Sequence, residues 1–196
     1  SMRLTYLENH DSNAWEGTTR ENFGPALEAF TALSYAGDGL SMVYNGQEAC
    51  NQRRLEFFEK DPIDWAQGEN CAYGKLLKDL IAFRKANPAL ANGKWGAAMS
   101  KVDSDKPEQL FSWMRRKDGN VVVGLFSLSA TPVSAKRTDV HATGSYTEFG
   151  TGQTAMAVEA RLGADEGQGL ADRCAFGLQV VGAPQHQRDA FREGVA

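Results

Sequence analysis

Apolar and polar positions change rhythm once along this chain, near residue 90. Before that point, short apolar runs alternate with stretches of helical spacing. Leu4 to Leu7 reads as a strand. From Asn22 to Ala36, the residues Phe23, Ala26, Leu27, Phe30 and Leu33 recur on one helical face. Pro25 fits the first turn of that helix, and Gly37 and Gly39 fit its end. Leu40 to Tyr44 reads as a buried strand closed by Asn45-Gly46. Gln47 to Gly68 is a long loop, which Asp61-Pro62 and Asp64-Trp65 mark as ordered. Asn70 to Ala86 is the clearest helix: Tyr73, Leu76, Leu77, Leu80 and Ile81 trace one apolar face, and Asn87-Pro88 ends it.

Strand, helix, strand, helix with apolar strands is the pattern of a parallel sheet covered by helices. Two such units cannot close a barrel, and they leave strand edges that something must cover. Beyond residue 90 the spacing shortens. Gln109 to Arg116 and Asn120 to Leu128 are strand-like, with the hairpin signal Asp118-Gly119 between them. Further short strands are expected at Lys94 to Met99, Pro132 to Lys136, Ser145 to Phe149, Thr154 to Ala160 and Ala175 to Val181. Many short strands without a helix predict an antiparallel β-sandwich. The chain thus divides into an α/β part, residues 1–90, an all-β part, residues 91–183, and a polar tail, residues 184–196.

Composition narrows the function classes. The 196 residues are 42% hydrophobic and 23% charged, with net charge −4. Arg53-Arg54 and Arg115-Arg116-Lys117 are short and separated, so nucleic acid is not an expected partner. No apolar run approaches the roughly 20 residues of a membrane helix. Cys50, Cys71 and Cys174 leave one thiol over in any pairing, which argues against a disulfide framework. His10, His141 and His186 lack zinc-ligand spacing. Ser1-Met2 has the look of a cleaved expression tag, so a missing leader leaves the compartment open.

The chemistry concentrates at Tyr6-Leu7-Glu8-Asn9-His10-Asp11, where the first strand runs into an imidazole and a carboxylate. In parallel α/β folds, that end of a strand is where active sites form. On its own, a loop carboxylate beside a histidine is more often a cap, a turn or a surface pair. Its neighbours change the weighting. Tyr6 to Asp11 resembles the fourth conserved region of the α-amylase family of glycoside hydrolases, at the end of that family's seventh barrel strand. Leu40-Ser41-Met42-Val43-Tyr44-Asn45-Gly46-Gln47-Glu48 is similar to its eighth strand. Phe57-Phe58-Glu59-Lys60-Asp61-Pro62-Ile63-Asp64-Trp65 is similar to the approach to its eighth helix, and Leu80 to Leu90 to its exit from barrel to C-terminal domain. Phe126-Ser127-Leu128-Ser129 resembles an Asn-Leu-Ser strand of that domain, with Phe126 in place of the usual Asn. The likeness covers roughly Leu4 to Phe149 and is weaker beyond Leu90.

The resemblance implies the last two units of a (β/α)₈ barrel followed by a β-sandwich, from an enzyme that cleaves α-linked glucans such as starch and maltodextrins with retention. It implies that Asp11 stabilises the transition state and that His10 binds hydroxyls of the same sugar. Trp15 is a candidate for stacking on a sugar ring, against packing on its own loop. Glu48 takes a structural role near the site. Asp61, Asp64 and Trp65 either rim the cleft or, more conservatively, order the loop. The family's nucleophile, acid/base and most calcium ligands belong to regions with no counterpart here. The chain is therefore expected to need no cofactor of its own, with calcium implied for the whole enzyme, and to be inactive alone. Two other readings stay open: a non-catalytic glucan-binding or interaction module using Trp95, Trp113 or Tyr146, each of which is otherwise core, and an inert truncated frame. Uncovered barrel edges predict self-association. A secreted or periplasmic bacterial parent is one expectation for compartment.

Overall fold

The computed structural model describes residues 2–129, 131, 133, 135, 144–150, 152, 154–157 and 176–181. Strand β1 (Leu4–Thr5) pairs in parallel with β2 (Leu40–Ser41), Leu4 opposite Leu40 and Thr5 opposite Ser41. Both strands are shorter than expected, and Leu40 is exposed rather than buried. The cause is local: among the described residues no third strand flanks the pair, so nothing extends the ladder at either edge.

The helix expected from Asn22 to Ala36 is broken. A short α1 (Thr19–Phe23) begins in a capping box, in which the Thr18 hydroxyl accepts from Glu21 N and Glu21 accepts from Thr18 N. The Thr18-x-x-Glu21 spacing was legible in the sequence. Gly24, at φ 48°, ends α1, and Pro25 sits in the 3₁₀ turn Gly24–Ala26. Pro25 has no N–H to continue the α1 ladder, so it starts a new turn. Helix α2 (Leu27–Ala36) follows. Its buried face is Leu27, Thr31, Tyr35 and the alanines 29, 32 and 36, whereas Phe30 is exposed and leans on Phe23. Small residues let the next helix approach closely, a preference that hydrophobic spacing does not report. Helix α3 (Ala72–Ala86) forms where expected, with Tyr73, Leu77 and Leu80 buried, but Ile81, expected on the same face, is exposed. The Thr31 hydroxyl bonds to Tyr73 Oη at 2.8 Å across the α2–α3 contact.

The Cys50 and Cys71 sulfurs are joined in a disulfide, with Cα atoms 5.6 Å apart. This corrects the expectation from cysteine count. Counting excludes complete pairing, not a single bridge, and here the loop returns Cys50 to the start of α3.

The later strands make one antiparallel sheet in the order β3-β4-β5-β8-β6-β7. They are β3 (Ser100–Val102), β4 (Leu110–Lys117), β5 (Asn120–Ser127), β6 (Gly144–Glu148), β7 (Thr154–Ala157) and β8 (Phe176–Val181). Among the described residues this is a single sheet, not two facing ones. What was expected as a strand at Lys94 to Met99 is a 3₁₀ turn at Gly93–Trp95, with the strand beginning only at Ser100. Pro132 to Lys136 falls largely outside the described residues, as do His141, Cys174, His186 and the tail. Asp118 and Gly119 link β4 to β5 with φ of 49° and 80°, the two positive values that a type I′ hairpin requires.

One core spans both parts of the chain. Trp113, Val122 and Phe126 on one face of the sheet join Leu27, Ala32, Leu77, Leu80 and Leu90 from the helices and their exit turn. Trp113 lies flat across Gly124, its partner in register, where a Cβ would overlap the indole. Val121, Val123 and Tyr146 pack on the opposite face. Val121-Val122-Val123 is therefore buried on both sides, as a continuous apolar run should be.

Polar side chains fasten the same junction. Buried Arg115 donates from Nε to Ala97 O at 2.7 Å, from Nη1 to Gly37 O at 2.7 Å and Ala36 O at 3.3 Å, and from Nη2 to Ala91 O at 2.9 Å. Arg84 donates to Tyr35 O, Gly39 O and Asn92 Oδ1. Two guanidinium groups thus satisfy carbonyls at the C-terminal end of α2, where the helix dipole favours cations.

Candidate active site

The Asn9-His10-Asp11 segment sits at the C-terminal side of β1, as expected, and it is built tightly. Asn9 Oδ1 accepts from Ser12 N at 2.8 Å, and Ser12 Oγ accepts from Asn9 N at 2.9 Å. The chain then enters a wide π-helical turn over Ser12–Glu16, closed by Gly17 N donating to Ser12 O at 2.9 Å. Such turns are rare and recur at functional sites. Gly17, at φ 137°, releases the chain toward α1.

Beneath this turn lies a polar network that the sequence did not disclose. Glu8 is buried, and desolvation raises its carboxyl above the ordinary carboxylate value. Asn13, Thr19 N and, least of all, Gln47 oppose that rise by favouring the charged form. Asn13 Nδ2 reaches Glu8 Oε1 at 2.6 Å, whereas the Gln47 amide nitrogen makes no bond of ordinary length. Asn13 also accepts from Leu55 N at 2.7 Å through Oδ1, and its Nδ2 approaches Arg53 O at 3.4 Å. One buried asparagine therefore ties the Asp11 turn to the loop after β2. That loop is held further by Arg53 on Asp61 at 2.7 Å, with Asp61 also accepting from Glu56 N at 3.1 Å. The Arg53 guanidinium holds the Asp61 carboxyl below the usual range.

The tie brings aromatic residues to the site. The His10 ring stacks on Phe57, with centroids 5.7 Å apart and planes 26° apart. Trp15 tilts against the same ring at 5.5 Å, and Phe58 meets its edge at 4.7 Å. Trp15 is 64% exposed and Phe58 81% exposed. His10 Nε2 lies 3.6 Å from Asp11 Oδ2, and both side chains are open to solvent. The arrangement offers a carboxylate acceptor, an imidazole and several aromatic faces on one surface. Asp and His suit sugar hydroxyls, and rings suit the apolar faces of pyranoses.

The other candidates divide. Glu48 Oε2 accepts from Gly46 N at 3.0 Å, and Asp64 accepts from Ala66 N at 3.1 Å, so both are turn and cap residues. Trp65 is exposed away from any ring contact found for His10. Trp113 and Tyr146 are fully buried, which removes them as stacking residues. Trp95 is exposed, with Lys94 Nζ 5.0 Å from its ring centroid. Phe57 and Phe58 were not singled out from the sequence as part of the ring cluster at His10; two adjacent phenylalanines set between Glu56 and Glu59 were the available signal. Among the described residues, no three His, Cys, Asp or Glu side chains converge as metal ligands, and no helix is long and apolar enough to cross a membrane.

No family model matches the chain. Individual proteins do. A 1,4-α-glucan branching enzyme of Cutibacterium acnes is 31% identical over 131 residues, 63% of this chain and 20% of that protein. Alpha-amylase 2 of Dictyoglomus thermophilum is 28% identical over 101 residues, 46% of this chain and 18% of that protein. The chain thus spans about a fifth of the length of these curated relatives. Among solved structures, a cyclomaltodextrinase superposes with TM-score 0.68 at 14% identity, over 91% of this chain and 29% of that one. A noncanonic maltogenic α-amylase, AmyB of Thermotoga neapolitana, gives 0.63 at 17% identity, over 92% and 39%. AmyP in complex with maltose gives 0.56 at 12% identity, over 80% and 34%. With the ordered motifs from Tyr6 to Leu90, these matches show a chain similar in sequence to part of two α-glucan-acting enzymes and similar in fold to part of solved α-amylase-type structures.

Proposed function

We propose that this chain is part of an α-amylase-like retaining glycoside hydrolase acting on α-linked glucans. Residues 1–90 would supply the last two β/α units of its (β/α)₈ barrel, and residues 91–183 its C-terminal β domain. The observation that carries the reading is the exposed Asp11–His10 pair at the end of β1, on a turn anchored by buried Glu8 and Asn13. Asp11 is the transition-state stabiliser: its carboxylate accepts hydroxyls of the reacting sugar and favours positive charge developing on the ring. His10 binds hydroxyls of the same sugar, and Trp15 lies beside it.

A retaining mechanism needs a nucleophile and an acid/base about 5 Å apart. Glu8 is turned inward onto Asn13, Glu48 and Asp64 are held in turns, and Asp61 is paired with Arg53. None is free for either role, so the chain alone is proposed to be inactive, and calcium, if the whole enzyme uses it, is bound elsewhere. Soluble starch incubated with the purified chain should release no reducing sugar. Release that disappears in Asp11→Asn would overturn the reading. In the longer parent protein, Asp11→Asn should lower kcat by about 10²–10³-fold.

The apolar side chains Leu4, Tyr6 and Leu40 stand exposed on and next to the β1–β2 pair. This supports self-association of the isolated chain, and light scattering at high concentration tests it. The alternative of a glucan-binding module on the later domain is left with Trp95, since Trp113 and Tyr146 are core residues.

A further inference from the structure

Four rings from two distant segments meet at the Asp11 surface. His10 and Trp15 come from the turn after β1, and Phe57 and Phe58 from the loop after β2. Phe57 is the hub: it touches each of the other three, while Trp15 and Phe58 present open faces to solvent. Burying large aromatic residues is favourable, so keeping them outside runs against the hydrophobic effect. Here the loop is held in that position by specific bonds. Asn13 grips Leu55 N before Phe57, and Asp61 after it grips Arg53 and Glu56 N. The exposure is therefore built, not a frayed end.

We propose that Trp15, Phe57 and Phe58 form a stacking platform for a pyranose ring adjacent, along the glucan chain, to the sugar held by Asp11 and His10. The occupant is an α-linked glucan of several units. The chemistry fits one ligand class: a polar edge at Asp11 and His10 for hydroxyls, continuous with ring faces for the C–H faces of the next sugar. The inference rests on the glucan-acting reading above, in which Trp15 is already a stacking candidate, and adds Phe57 and Phe58, to which that reading gives no role. Phe57 acts by contact and by fixing Trp15. Asn13 is a positioning residue, since it touches neither ring face.

The test is isothermal titration of the whole purified chain with maltoheptaose, using wild type, Phe57→Ala, Phe57→Tyr and Asp11→Asn. Phe57 is on the surface, so melting curves of the variants should overlay and report that the fold is kept. One ring face taken out of water corresponds to roughly tenfold in affinity. The expected result is binding by wild type, about tenfold weaker in Phe57→Ala and preserved in Phe57→Tyr. Equal affinity in wild type and Phe57→Ala overturns the platform; if Asp11→Asn still weakens binding, the glucan reading survives without it. Weakening in Phe57→Ala but none in Asp11→Asn keeps the platform and removes Asp11 as a sugar contact. No heat and no saturation by wild type at 10 mM ligand, on the order of the weakest affinities worth measuring, also overturns the platform, since all its residues lie in this chain; the rings would then be an interface for protein.

Discussion

Replacing Arg115 by methionine removes the donor that holds the helices to the sheet while keeping most of the apolar stem. The guanidinium is buried and spends four hydrogen bonds on carbonyls of Ala36, Gly37, Ala91 and Ala97. Among the described residues no carboxylate bonds to it. Burial pushes its pKa down, Asp38 pulls it up and Arg84 pushes it down, and it stays cationic at any workable pH. Hydrogen bonds from a charged donor contribute about 1.5–3 kcal/mol each, and the two 2.7 Å bonds are the strongest here. Stranding several buried carbonyls at a helix end adds to the cost, so the loss should be about 3–5 kcal/mol. A domain typically has only about 5–15 kcal/mol to lose. Urea unfolding followed by circular dichroism measures it, as a lower midpoint at unchanged slope. Arg115→Lys should recover only part of the loss, because one ammonium cannot span acceptors arranged for a planar fork. A cost below about 1 kcal/mol for Arg115→Met would show that the carbonyls find water or one another, and that the arginine is not what joins the two parts.

Three further outcomes are expected. Glu8 has its folded pKa raised by burial, so its contribution to stability is full below the unfolded value near 4.5 and is lost as pH rises through the folded value. Glu8→Gln should therefore flatten the decline in urea midpoint between acid and neutral pH; a parallel decline in both proteins would exclude Glu8 as its source. Reducing the Cys50–Cys71 bridge, which closes a loop of sequence separation 21, should cost about 3 kcal/mol, read as a lower melting temperature with dithiothreitol that Cys50→Ser does not show. Gly124→Ala should cost about 1–3 kcal/mol, because the indole of Trp113 must move off the strand; a melting temperature equal to wild type would mean the ring has room.

Much of this architecture was legible from spacing alone. Helix α3, the β4–β5 hairpin and the doubly buried valines follow from apolar period and from Asp118-Gly119, because those signals are local: a turn or a helix face is decided by residues within about seven positions. The buried face of helix α2 was misjudged because it is not decided locally. Phe23 and Phe30 dominate a hydrophobicity pattern, but the face that fits against α3 is the one with small side chains, Ala29, Ala32 and Ala36. Close approach is a property of two surfaces.

The site divides in the same way. By itself the sequence determined the family motifs, the place of His10 and Asp11 at a strand end, and the chemical types available there. Only the tertiary structure decided which residues from elsewhere join them. Asn13 reaches Leu55 across 42 positions, Cys50 meets Cys71, Phe57 comes under His10, and Arg115 is drawn inside to cap a helix it follows by nearly 80 residues. It also decided that Trp113 is core while Trp15 and Trp95 are surface. The physical reason is that burial and polar satisfaction are set by what the folded chain brings within a few ångströms, and a residue's type states only what it can bond, not what it will meet.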